Sequence, residues 1–566
     1  MAVRSSVITE NGIPTLVVNG EKQTGMAYVT YIREKACYKD FAAAGYRLYS
    51  TCVFFGSNYL QEVSKLPVFS KGIFDDEENP DFSGFDEDVE RLLAACPDAM
   101  LLPRVNVNAS HGWERAHPDE LCDENPPPRD PDHRRVCIAS DVWAETVKRQ
   151  LETFVQHVNS MPYADHVIGY QLAGGATDEW FSLDGQGSRG LRSREKFLAY
   201  CKETGCENSE AAFYRFMSRI TAERIVEFSQ HVKHLTDNRL VVGAFYGYSI
   251  ATPHRSSLHH SFRTVLESPY VDFICSPISY ATGRRVGVDH SYQLALHSVQ
   301  LHGKLLFSET DIRSHLTCPV NDSAYYSKPI WFGPPFEETI ELLKMHFAKP
   351  LINRHALWWF DMWGGWYHDE RYMSFMEKAK ALRQRLESVV SEDVCEIAVF
   401  WDEEASPCVA NVEDIRPVST MICEALGYVG APYALYLASD FDKVKDKYRA
   451  YIGITPYETD GLRAIRAYAA KTGRKYLAIT KENASITPDE LRAFFCKAGA
   501  FLYTEQNCVV YASSAFLCLH TATDGEHEIH LPEGETLEDL FEGGAFSPRF
   551  ASEKGRTYFL RRRRNE

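Results

Sequence analysis

Two glutamates stand in settings suited to acid–base and nucleophilic work. Glu179 closes the stretch Tyr170-Gln171-Leu172-Ala173-Gly174-Gly175-Ala176-Thr177-Asp178-Glu179-Trp180, and Glu309 lies in Leu305-Leu306-Phe307-Ser308-Glu309-Thr310-Asp311. A pair of carboxyls at the ends of two buried strands suits cleavage of a glycosidic bond. One protonates the leaving oxygen, while the other attacks the anomeric carbon or activates water. A lone strand-end glutamate is ordinarily a solvated loop residue, so the case rests on context. The run before Glu309 reads as buried on both faces, which aims the acid at its end into an interior mouth. Trp180 and Phe181 lower the polarity beside Glu179, and a carboxyl flanked by apolar rings keeps its proton to higher pH, as a general acid must.

The elements that must position these acids alternate along the chain. Apolar, strand-like runs occupy residues 25–31, 47–55, 99–107, 166–172, 240–246, 271–278, 304–308 and 356–362. Between them lie stretches such as 143–158 and 209–235, where apolar residues recur every three or four positions, as on one face of a helix. Eight strand–helix units predict an α/β fold of the closed (β/α)8 TIM barrel type, with chemistry at the carboxyl ends of the strands. Near residue 390 the pattern restarts with short strands at 395–401, 433–437, 450–454 and 475–479 and a helix over 459–472, which predicts an open α/β domain. It contains no GxGxxG or P-loop spacing. From about residue 507 alternating runs such as 527–531 and 557–560 predict a small antiparallel β domain. The expected divisions are 1–390, 391–506 and 507–566.

Composition narrows the class. A chain of 566 residues with 45% hydrophobic and 25% charged residues reads as globular and too long for a single core. No stretch is apolar enough over the length needed to span a bilayer, and MAVRSSVITENG lacks the apolar core of a secretory signal, so the expected location is cytoplasmic. Fifteen cysteines, odd in number and scattered in apolar runs, read as reduced core residues. Cys201 and Cys206 have no second Cys/His pair nearby, so neither a metal nor any other cofactor is expected. A net charge of −17 argues against nucleic acid and anionic membranes as partners. The arginines from Arg561 to Arg564 read as a solvated tail.

Other residues could grip a sugar. The eighth run and its continuation carry Trp358, Trp359, Trp363 and Trp366. The first two fit core packing, whereas Trp363 and Trp366 flank two glycines past the strand, where a flat ring can face the C–H surface of a sugar. Asp311 and Asp361 could accept bonds from hydroxyls or cap a following helix. Arg104, Asn106 and Arg135 are candidates to hold Glu309 ionised or bind hydroxyls, with a helix-surface role as the alternative for the arginines. Gln171, Asp178 and Tyr246, at or just past strand ends, complete the candidate substrate contacts.

These segments together resemble the clan A glycoside hydrolases, most closely the family 42 β-galactosidases. His133-Arg134-Arg135-Val136-Cys137-Ile138-Ala139-Ser140-Asp141-Val142-Trp143 resembles the family's substrate-binding arginine segment before a helix, and Trp113 with His117-Pro118-Asp119-Glu120 resembles the loop after its third strand. Gly169-Tyr170-Gln171 followed by Glu179 is similar to the fourth-strand signature. The resemblance implies Glu179 as acid/base, Glu309 as nucleophile and Tyr280 as the tyrosine that supports it. It also implies a second domain that forms a homotrimer, a small β domain after it, and a retaining exo-acting β-glycosidase that takes a terminal β-linked hexose. Two features depart from the pattern: Asp178 replaces an asparagine, and the turn to Glu179 is about four residues longer. Related families share the plan, such as the family 164 β-mannosidases, and the sequence leaves galactose, mannose and glucose all open. A sugar-binding protein that kept the barrel and lost the chemistry is the alternative reading, and transfer of the glycosyl group to another acceptor is a further one.

Overall fold

The structure is a computed structural model that describes residues 2–56, 71–123, 134–318, 328, 331–414 and 416–564; His133 lies outside them. Among the described residues a ring of parallel strands closes on itself. Its positions are Met26–Val29, Leu48–Ser50 continued by Cys52–Phe54, Met100–Leu101 continued by Arg104–Asn106, Gly169–Ala173, Val241–Phe245, Phe273–Pro277, Leu305–Thr310 and Ala356–Phe360. Each pairs with the next, and Ala356–Phe360 pairs back onto Met26–Val29, so the sheet has no open edge. The eight predicted runs are the eight strand positions of this (β/α)8 barrel. The last five strands are buried along their whole length, with side chains filling the lumen on one face and helices covering the other. Two-sided burial is why they read as continuous apolar runs rather than alternating ones. The third strand breaks at Pro103, which has no N–H to give the ladder.

The covering helices begin where side chains can satisfy their free amides. Ser140 accepts from the Trp143 amide at the start of Asp141–Ser160, and Ser209 accepts from Ala212 at the start of Glu210–Leu235. On the first of these, Trp143, Val147, Leu151, Phe154 and Val158 recur every three or four residues and form the buried stripe.

A hairpin of Ser5–Glu10 and Ile13–Val18 precedes the barrel. Its turn is Asn11-Gly12, both at positive φ (50° and 75°), the backbone that a two-residue hairpin requires. Ser5 lies at the amino ends of the strands: its hydroxyl donates to the Ile168 carbonyl and accepts from the Val241 amide. The hairpin therefore covers the floor of the barrel, opposite the mouth.

The open α/β domain holds a parallel sheet in the order Ala434–Leu437, Ile397–Trp401, Ala450–Ile454, Lys475–Ile479. The antiparallel β domain runs Cys508–Ala512, Phe516–Thr521, Thr557–Arg564, Glu535–Asp539, Ala545–Phe546. Two expectations change here. The run expected at 527–531 is instead Gly525–Glu528, which pairs with Arg549–Ser552. The arginines at 561–564 end a strand in the middle of the sheet rather than a free tail, and of the four only Arg563 and Arg564 are exposed as expected. Arg562 is buried and paired with Glu535, and Arg563 is paired with Glu538. The described cysteines are free thiols, with Cys201 and Cys206 sulfurs 3.4 Å apart. No described helix is long and apolar enough to cross a membrane.

Candidate active site

Arg104 and Asn106 are two residues apart on the third strand, so both point into the lumen. In register beside Arg104 on the fourth strand is Gln171, whose amide oxygen accepts from Arg104 Nε at 3.2 Å. The third and seventh strands face each other across the ring. Arg104 spans that distance, and its Nη2 reaches Glu309 Oε2 at 2.8 Å. Its guanidinium lies 4.7–5.5 Å from the ring centres of Tyr31, Phe245, Trp358 and Phe360, an aromatic cage for a buried cation.

Glu309 is 4% exposed. The indole of Trp358, its register neighbour on the eighth strand, donates to the same Oε2 at 3.3 Å. Both bonds fall on one oxygen, so Oε1 is the one left for attack. Burial pushes the Glu309 pKa up, and the charges of Arg104 and, further off, Arg284 oppose it.

Glu179 is presented by a tight turn. Gly174 N–H donates to the Asp178 carbonyl, and Trp180 N–H donates back to the Gly174 carbonyl at 2.7 Å. Asp178 and Trp180, on either side of Glu179, both have positive φ (65° and 63°), a strained backbone for residues with a Cβ. The turn is held by Trp180, fully buried with its indole N–H on the Leu172 carbonyl, and by Asn106, which donates to Asp178. Glu179 keeps partial solvent contact, and Thr177 Oγ1 donates to its Oε2 at 2.7 Å. Burial first, and then the charge of Glu309, push its pKa up to about 8, with hydrogen bonds from Thr177 and Tyr248 pulling the other way. Asp178 is pushed up to about 6 by burial, against Arg104 and Asn106.

Past the sixth and seventh strands, Tyr280 donates to Asp311 Oδ2 at 2.6 Å, and Arg284 pairs with the same carboxylate while stacking 3.6 Å from the Tyr280 ring centre. Tyr280 thus reaches Asp311, two residues beyond Glu309, rather than bonding to Glu309 itself. Tyr248, Tyr31, Thr177 and Arg284 carried no signal in the sequence. Tyr248 lies two residues beyond Tyr246, past a turn at Gly247 (φ 91°) that linear spacing does not reveal.

Four expected contacts have other partners. Tyr246 points into the barrel wall, donating to the Leu258 carbonyl at 2.7 Å, whereas the ionisation of Tyr248, like that of Tyr280, is opposed by the charges of Glu179 and Glu309. Arg135 pairs with the buried Glu114 at 3.0 Å, not with Glu309. Asp361 accepts from Tyr28 and from the Gly365 and Trp366 amides, so it caps the turn after the eighth strand. Trp363 packs on Trp331 and edge-on to Trp366, with ring centres 5.1 and 5.6 Å away. Metal-capable side chains gather away from the glutamates, as Cys37, Asp40 and His368 and as His297, Asp393 and Cys395. In each group a carboxylate already has a partner, His368 for Asp40 and Lys447 for Asp393.

The barrel with its two following domains is the architecture of the solved family 42 (GH42) glycoside hydrolases. A β-galactosidase from Rahnella sp. R3 matches with a TM-score of 0.64 at 11% identity over 99% of this chain and 100% of its own. A catalytic mutant of a GH42 β-galactosidase from G. stearothermophilus matches at 0.61 and 10%, over 99% and 100%. A GH42 exo-carrageenase from Bacteroides ovatus matches at 0.61 and 10%, over 99% of this chain and 85% of its own. At these identities the likeness is one of fold. No protein-family model matches the sequence, and no curated protein matches it.

Proposed function

We propose that the chain is a retaining exo-β-glycosidase with Glu309 as nucleophile and Glu179 as acid/base. The observation that carries this reading is the contrast between the two carboxyls: Glu309 has Arg104 against it, while Glu179 is held protonated to about pH 8. In the first step Glu309 Oε1 bonds to the anomeric carbon, the bond to the leaving oxygen breaks, and the Glu179 proton goes to that oxygen. Esterified Glu309 has lost its charge, so one cause of the high Glu179 pKa is gone and Glu179 becomes a better base. It then takes a proton from water, whose oxygen bonds to the anomeric carbon as the ester to Glu309 breaks. A retaining route needs carboxyls roughly 5–5.5 Å apart.

The sugar is a terminal β-linked hexose, galactose first by fold likeness to the galactosidases and mannose second. Gln171 Nε2, buried and without a partner among the described residues, is a donor left unsatisfied beside Glu309's arginine. The same likeness makes a homotrimer the proposed assembly. A panel of nitrophenyl β-glycosides tests the reading: one or more should be cleaved, and Glu309→Gln should lower kcat by about 10³-fold or more. A protein that binds these sugars, cleaves none and keeps its affinity in the variant would be a lectin on this fold instead.

A further inference from the structure

The loop after the sixth barrel strand, residues 278–292, joins the catalytic mouth to the carboxyl-terminal sheet. Its ends are pinned together by the bridge from Ile278 to Tyr292 and by the Ser279 amide on the Ser291 carbonyl at 2.9 Å. Its inner part carries Tyr280 and Arg284, which grip Asp311; Arg313, outside the loop, lies 4.0 Å from the same carboxylate. Its outer part is held by other domains. The Gly287 amide donates to His520 Nε2 at 2.6 Å, Tyr428 donates to the Gly287 carbonyl at 2.7 Å, and Tyr511 donates to Asp289 Oδ1 at 2.5 Å.

The hydrogen bonds at His520 run in one direction only. Because the Gly287 amide donates, Nε2 carries no proton, so Nδ1–H donates to Thr557 Oγ1 at 2.8 Å. The Thr557 hydroxyl then donates to the Glu341 carbonyl at 2.7 Å, on the barrel helix Phe336–Ile352. Gly287 has φ +80°, a backbone that favours glycine, and the loop packs closely on the β domain nearby. A Cβ on Gly555 would lie 2.7 Å from Val286 Cβ.

We infer that His520 and Tyr511 are positioning residues: the carboxyl-terminal β domain holds loop 278–292 and, through Tyr280 and Arg284, helps to set Asp311, two residues beyond Glu309 at the end of the seventh strand. The catalytic consequence rests on the glycosidase reading, whereas the mechanical linkage does not.

Amide hydrogen exchange tests the linkage without any substrate. In the full chain, His520→Ala should speed exchange across 279–291 and around Asp311 by about tenfold or more. Helix Glu210–Leu235 should be unchanged, and His520→Gln, which restores an acceptor, should recover most of the protection. Unchanged exchange in the loop, or a rise spread evenly over the chain, would overturn the inference. The catalytic half is read from a double-mutant cycle with Tyr280→Phe on whichever aryl glycoside is cleaved. His520→Ala alone should lower kcat about tenfold with KM within about twofold, and should add less than about twofold once Tyr280 is changed. Fully additive effects would refute it. If the wild-type protein cleaves no glycoside, the functional reading fails and the exchange measurement still decides the linkage.

Discussion

Glu179 and Glu309 are both pushed toward neutrality by burial, and what separates them is the cation beside one of them. Arg104 reaches Glu309 from across the lumen; Glu179 has a threonine, a tyrosine and the charge of Glu309. A general acid must be protonated, so kcat/KM should fall as pH rises through about 8, the Glu179 value in the free protein. A pH–rate profile whose basic limb is missing, or survives unshifted in Glu179→Gln with an activated leaving group, would remove that assignment. Stability carries the same signature. The folded chain holds the Glu179 proton to higher pH than the unfolded chain, so this group's contribution is complete below the ordinary glutamate range and is lost as pH rises through about 8. Glu179→Gln should therefore melt higher than wild type, by roughly 2–4 °C at pH 8 and less at pH 6, as followed by calorimetry. The two acids were legible because each follows an apolar run. Tyr248 and Glu114 were not, since their roles depend on a turn and on a partner that periodicity does not encode.

At the scale of elements, the turn from Gly174 to Trp180 converts a strand end into an acid aimed at the mouth. Two residues with side chains sit in the left-handed region to do this, and the buried indole of Trp180 offsets the strain. Gly175 has φ 76°, and a Cβ there would lie 2.4 Å from the Phe181 carbonyl oxygen. Gly175→Ala should cost about 1–3 kcal/mol of stability and lower kcat at least about tenfold, measured by denaturant titration and by turnover of the same aryl glycoside. A variant with wild-type turnover would mean that the turn does not present Glu179. The extra length of this segment was visible in the sequence, but its path was not. The amino-terminal hairpin carried the Asn11-Gly12 turn signal, yet it lies before the strand–helix alternation and so falls outside that pattern.

At the scale of the molecule, the three parts share hydrogen-bonded seams, and the loop 278–292 meets all of them. The divisions proposed near residues 390 and 506 mark changes of sheet, from the barrel to Ile397–Trp401 and from Lys475–Ile479 to Cys508–Ala512. The homotrimer proposed by likeness should appear in light scattering at about three times 64.4 kDa. A mass of one chain across the micromolar range would remove it.

Periodicity along the chain determined the order of strands and helices, the barrel and the two acids at its strand ends, because burial on one or both faces leaves a local pattern of residue types. What stands opposite what was decided only when the ring closed. Arg104 meets Glu309 across 205 positions of sequence, and His520 meets Gly287 across 233. Such contacts follow from closing the barrel and docking one sheet on another, and neither event is written in the spacing of neighbouring residues.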